Sequence, residues 1–182
     1  MTKVIIAPDV RLRTKSIRVL VSDDVSDLIS ELNTTMVAEG GLGLAAPQIA
    51  SNKRVIVIDV DPTSTYDDVP YAGQTSGRFV MINPVIVRRE GGAQWDEGCL
   101  SFPGVQEKIN RSVFVRVEYE DADRVTHQLD AKGLLAACIQ HEIDHLDGKL
   151  FIDDLSKLRQ GMITKRLKKL KKRASRNGWR SR

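Results

Sequence analysis

Residues 131–148, AKGLLAACIQHEIDHLDG, constrain this chain more than any other stretch. The spacing predicts a helix over about 132–147 with Gly148 as its stop, and its first half is apolar on almost every side. A helix without a polar face is a buried helix, so it must run through the middle of the fold. Its second half nevertheless carries His141, Glu142 and His145. Histidines four apart share one helical face, so both imidazoles reach one ion while Glu142 beside them holds a water without ligating the metal. Without a ligand, the pair would leave polar groups inside a core. A catalytic metal usually keeps three protein ligands and one open position, so a third ligand must come from elsewhere.

The rest of the chain supplies sheets to enclose that helix. RVIVIDV (54–60) reads as a buried strand, FVMINPVIV (79–87) as a second and SVFVRVEYE (112–120) as a third. VTHQLD (125–130) closes a hairpin with the third through DADR. PDVRLR (8–13) reads as a turn and loop, and residues 61 to about 78 as a polar loop. Ser22 is the expected N-cap of an N-terminal helix, with Asp23 and Asp24 in its first turn. Val25, Leu28, Ile29, Leu32 and Met36 follow at helical spacing, and Gly40 and Gly41 end it. The expected class is α+β, with mixed or antiparallel sheets around a central metal-binding helix. At 182 residues one domain is expected, a catalytic body over 1–155 that a basic helix and tail over 156–182 extend.

Charge divides at the same place. Residues 157–182 hold 12 of the 28 Lys and Arg and no acidic residue, leaving 16 basic against 24 acidic side chains, a net of −8, in the other 156. The overall +4 is therefore a property of the tail. No apolar run approaches the roughly 18 residues of a membrane span, and the start has no signal-peptide pattern. With only Cys99 and Cys138, a reducing compartment, the cytoplasm, is expected.

Candidates for the third ligand are Cys99, His127, Cys138 and an acidic residue. Cys138 lies on the same helix, seven residues or about 10 Å from His145, too far for one straight helix to converge on an ion. Cys99 sits in WDEGCLSFPG, a Gly-flanked non-helical stretch able to carry its sulfur to another element. Spacing favours Cys99 over His127 and leaves both open.

Three blocks resemble the peptide deformylase family in the right order: GLGLAAPQ (41–48), EGCLS (97–101) and QHEIDH (140–145). Together they are highly specific where HExxH alone is weak, and the resemblance runs from APDVRLR to the helix after Phe151. It implies a metal-dependent hydrolase that removes the N-formyl group of nascent polypeptides beginning with formylmethionine and releases formate. It implies Cys99, His141 and His145 as ligands, Glu142 as proton carrier, and the Gln48 amide with the Leu100 backbone N–H as oxyanion donors. Gly43 matches a glycine whose backbone pairs with substrate, and Glu97 is expected to hold the EGCLS loop through Arg111. Ferrous iron is the implied metal, with zinc, nickel or cobalt as substitutes. Gln106 stands where some members carry arginine, which puts that substrate contact in question.

Rival readings are a metalloprotease, which would not need the formyl group, and a nucleic-acid module, which leaves the three blocks unexplained. In the tail, Leu155, Leu158, Met162, Ile163, Leu167 and Leu170 recur at helical spacing and predict a helix over 156 to about 173, with Gly178 ending order. A +12 segment on a −8 body suits ribosomal RNA phosphates. A membrane surface fits less well, because Trp179 alone is little anchoring. A monomer is expected.

Overall fold

The computed structural model describes residues 2–61 and 75–176, the side chains of 174–176 excepted. Most of the expected polar loop after Asp61, and Gly178 and Trp179, lie outside the described residues. The fold is α+β. Five antiparallel-paired strands form one sheet in the order β1 (Gly43–Ala45), β2 (Val55–Val60), β3 (Gly77–Glu90), β6 (Phe114–Glu120), β7 (Thr126–Lys132). A separate antiparallel pair joins β4 (Ala93–Gly98) to β5 (Gln106–Arg111).

The apolar helix α2 (Leu134–Leu146) buries 11 of its 13 residues, including all three of His141, Glu142 and His145. Leu135, Ile139, Ile143 and Leu146 pack with Ile56, Ile58 and Met81 from the sheet and with Trp95 from β4. The opposite face of β2 presents Val55 and Val57 to Leu32 and Met36 of α1 (Ser26–Glu39). Coverage on both faces is why β2 reads as a continuous apolar run rather than an alternation. A third cluster seats Ile163 and Leu167 of α3 (Lys157–Arg176) against Phe102, Val105 and Ile109, with Cys99 packed at its edge.

Three local expectations are corrected. Helix α1 begins at Ser26, not after Ser22: the Asp23 carboxylate accepts from the Leu20 N–H and pairs with Lys53, and Asp24 accepts from the Ser26 N–H. Both aspartates thus stabilise the turn ahead of the helix, the local competition that short acidic side chains favour. The expected strand over 112–120 begins only at Phe114, with residues 112–113 linking it to β5 of the unforeseen β4–β5 pair, which ends at Arg111. The stripe on α3 is divided: Ile163 and Leu167 are buried, whereas Leu158 and Met162 stand 78% and 55% exposed. Six apolar positions spread over more arc than one contact face covers.

Candidate active site

A cleft of about 670 Å³ opens between the edge strand β1, the β4–β5 pair and α2. Cys99 and His141 line it and His145 lies beside them, the ligand atoms of all three within 4.8 Å of one another. Cys99 Sγ is 3.2 Å from His145 Nε2. The sulfur arrives on the turn that follows β4, and both imidazoles arrive on α2, one turn apart. His127 is elsewhere, on the far edge strand β7, 2.6 Å from Asp121 and open to solvent. Cys138 lines the cleft beside Glu142, but its thiol is pushed far up by burial and by the carboxylates of Glu142 and Glu97. It is an inert neighbour at neutral pH.

These donors fit a divalent ion. Glu97 Oε2 lies 2.9 Å from His141 Nδ1, and since a carboxylate only accepts, Nδ1 carries a proton and Nε2 is the nitrogen left to bind an ion. Burial opposes a charge on His141, and Cys99 and Glu97 together still raise it well above its ordinary pKa. Burial and the neighbouring His141 hold His145 well below its own. Once a binding ion displaces the second proton of His141, two imidazole nitrogens and the cysteine sulfur make the nitrogen and sulfur set that zinc and ferrous iron accept.

An ionic chain supports the first histidine. Arg111 Nε donates to Glu97 Oε1 at 2.7 Å and Nη2 to Oε2 at 3.0 Å, while Nη1 reaches Asp144. Asp144, Arg111, Glu97 and His141 thus form one line, with Arg111 and Glu97 buried. Against the cost of burial, hydrogen bonds from His141 and Arg111 bring Glu97 down to about 2. Sequence reasoning missed Asp144. Its only signal was its place three residues after His141, one turn along the same helix.

Glu142 and Gln48 complete the inner wall. Glu142 is buried, its Oε2 has no partner among the described residues, and burial raises its carboxyl to about 7. Its Oε1 lies 2.7 Å from where a Cβ on Gly43 would stand, so any side chain there would displace Glu142. Gln48, buried in the turn after β1, accepts the Ala45 N–H at its Oε1 (2.8 Å). That bond fixes the amide flip and turns Nε2 toward Ser101 Oγ (3.2 Å) and Cys99 Sγ (3.5 Å). Ser101, in the EGCLS block, was also not singled out from sequence. Leu100 lines the cleft opposite Gly41, and Gln106, exposed at the start of β5, lines its outer wall. A preoriented amide, a carboxyl poised near neutrality and a convergent N, N, S set make a site able to hydrolyse a carbonyl bond.

The family profile described as Polypeptide deformylase matches residues 1–161. A peptide deformylase of Xylella fastidiosa (strain 9a5c) is 46% identical over 172 residues, 92% of this chain and 95% of the relative. A peptide deformylase from Legionella pneumophila superposes with a TM-score of 0.82 at 37% identity, over 97% of this chain and 98% of that one. One from Ehrlichia chaffeensis in complex with actinonin does so at 0.84 and 34% identity, over 93% and 96%.

Proposed function

Because the chain belongs to the polypeptide deformylase family, we propose that it hydrolyses the N-formyl group of nascent polypeptides at this cleft, releasing formate and a free N-terminus. The observation that carries the reading is the convergence of Cys99, His141 and His145 beside a buried Glu142 and an oriented Gln48. Cys99, His141 and His145 would hold a divalent ion, which when bound would supply Lewis acidity toward a water and the formyl carbonyl. Glu142 takes the proton of the attacking water and passes it to the leaving amine, as a carboxyl near 7 is suited to do. Gln48 Nε2 and the Leu100 N–H donate to the oxygen that gains charge, in a pocket where such donors are worth a few kcal/mol each. Gly43, on the edge strand β1, pairs through its backbone with an extended substrate. Glu97 and Arg111 orient His141 and the cysteine loop. Glu39 and Asp96 lie at the mouth among the residues that line the cleft, which include no Lys or Arg, so nothing there replaces the arginine absent at Gln106.

Ferrous iron is the proposed metal, held in a cytoplasmic monomer. Metal analysis of anaerobically purified protein tests it, since a ferrous site beside a thiolate loses activity in air. No helix among the described residues is long and apolar enough to cross a membrane. The basic face of α3 is proposed to meet ribosomal RNA, and the segment over 156–182 to extend the catalytic body of 1–155. Truncation after Arg166 should preserve turnover of short peptides and reduce co-sedimentation with ribosomes at low salt. For the central reading, metal-loaded protein should release formate from formyl-Met-Ala-Ser and leave Met-Ala-Ser intact. Cleavage of unformylated peptides at internal bonds would make it a protease instead.

A further inference from the structure

The outer wall of the catalytic cleft borders a second cavity. Gly104, Val105 and Gln106, which line the cleft, also form one side of this second cavity of about 490 Å³. The opposite side is α3, through Arg159, Met162, Ile163 and Arg166. Val105 and Ile163 give this groove a buried apolar floor, and Met162 rims it with more than half of its surface exposed. The two arginines differ in state. Arg159 is committed, its Nε 2.7 Å from Glu107 Oε1. Arg166 has no hydrogen-bond or carboxylate partner among the described residues. Its guanidinium nevertheless rests on the shared wall: a Cβ on Gly104, whose φ is +67°, would lie 3.0 Å from Arg166 Nη2. Any side chain at 104 would push the cation off the loop.

We infer that this groove receives the residues of the nascent chain that follow the formylated end, with Arg166 binding their acidic side chains or backbone carbonyls and Met162 packing on their apolar groups. The inference rests on the deformylase reading above. Adjacency decides the occupant, because Gly104, Val105 and Gln106 border both cavities, so an extended peptide that leaves the cleft over this loop meets the groove next. The lining agrees. A nucleic-acid backbone calls for several cations along its path, whereas one free guanidinium beside methionine, isoleucine and valine suits a peptide of mixed character. It also gives the groove the opposite sign to the cleft mouth, where Glu39 and Asp96 stand without any cationic lining. Chains with acidic residues a few positions after the start are then the preferred substrates.

The test uses the full metal-loaded chain and three substrates: formyl-Met-Ala-Ser, and two octapeptides that extend it with a Glu-rich or a Lys-rich tail. The wild-type protein should favour the Glu tail over the Lys tail in kcat/KM by about three- to tenfold, the scale of one or two exposed charge contacts. Arg166→Glu should reverse that order, and Met162→Ala should lower kcat/KM for both octapeptides, each leaving the tripeptide within about twofold. Both positions are exposed, so neither change removes core packing. Turnover of all three peptides with no preference between the tails overturns the inference alone. So does an Arg166→Glu effect on the tripeptide as large as on the octapeptides. No formate from any peptide overturns it together with the reading it rests on.

Discussion

Replacing Arg111 with methionine removes a cation and keeps a side chain of similar length. It leaves Glu97, 9% exposed at its side chain, and Asp144, 27% exposed, as acids without their partner. Breaking a buried ion pair from one side costs about 3–5 kcal/mol, because the remaining charge stays desolvated. A second route gives a similar figure. Holding Glu97 from its ordinary 4.5 down to about 2 corresponds to about 3 kcal/mol at 1.36 kcal/mol per pH unit, shared between His141 and Arg111. For a chain of this size each kcal/mol moves Tm by about 2–4 °C, so a fall of roughly 10 °C is expected. The assay is thermal and urea denaturation of metal-free protein by circular dichroism, for Arg111→Met, Glu97→Gln and the double variant. A coupling of at least about 1 kcal/mol is expected, as for residues in one network. Metal affinity should drop by about 10- to 100-fold as His141 loses its orienting partner. The acid limb carries a further signature. A carboxyl with a lowered folded pKa stabilises the fold above its unfolded value and stops doing so as pH falls through the folded one. The wild-type protein therefore loses this contribution between about 4.5 and about 2, and Arg111→Met should show a flatter limb there. A Tm change under about 3 °C, or strict additivity in the cycle, refutes the reasoning.

Other changes separate the roles at the site. Cys99→Ser should strip or badly weaken metal binding and Cys138→Ser retain it, as read by metal content after dialysis; the reverse pattern would move the ligand onto α2. Glu142→Ala should keep the metal and lose at least about 10²-fold in kcat, so near-normal turnover of the loaded variant would remove Glu142 from proton transfer. Gln48→Ala should lower kcat by roughly 10²-fold, whereas a change in KM alone would make it a substrate contact only. Gly43→Ala places a methyl on Glu142 Oε1, so activity should fall with metal content unchanged. An unaffected kcat/KM there would show that the carboxylate has room to move.

Much of this molecule was legible along the chain because its controlling patterns are local. A helix apolar all round has to be central, and α2 is. His141, Glu142 and His145 share a face by helical period alone. The apolar run in β2 announces cover on both sides, which α1 and α2 provide. Composition likewise places the positive charge on the final helix.

What the chain could not settle are relations between segments far apart in sequence. Cys99 and His127 were both open as the third donor, since spacing does not say which strand or turn crosses α2. The sheet order carries β7 and His127 to the far edge, while the turn after β4 brings Cys99 to His145. The line from Asp144 through Arg111 and Glu97 to His141 joins β4, β5 and α2, and no periodicity within one element encodes it. On α3 the apolar stripe was visible, but which residues find a partner depends on the loop beneath it. Phe102 and Val105 take Ile163 and Leu167, and Met162 and Arg166 are left facing the groove beside the cleft. Local sequence specifies backbone conformation and which side chains seek burial; only the packed chain decides what each of them meets.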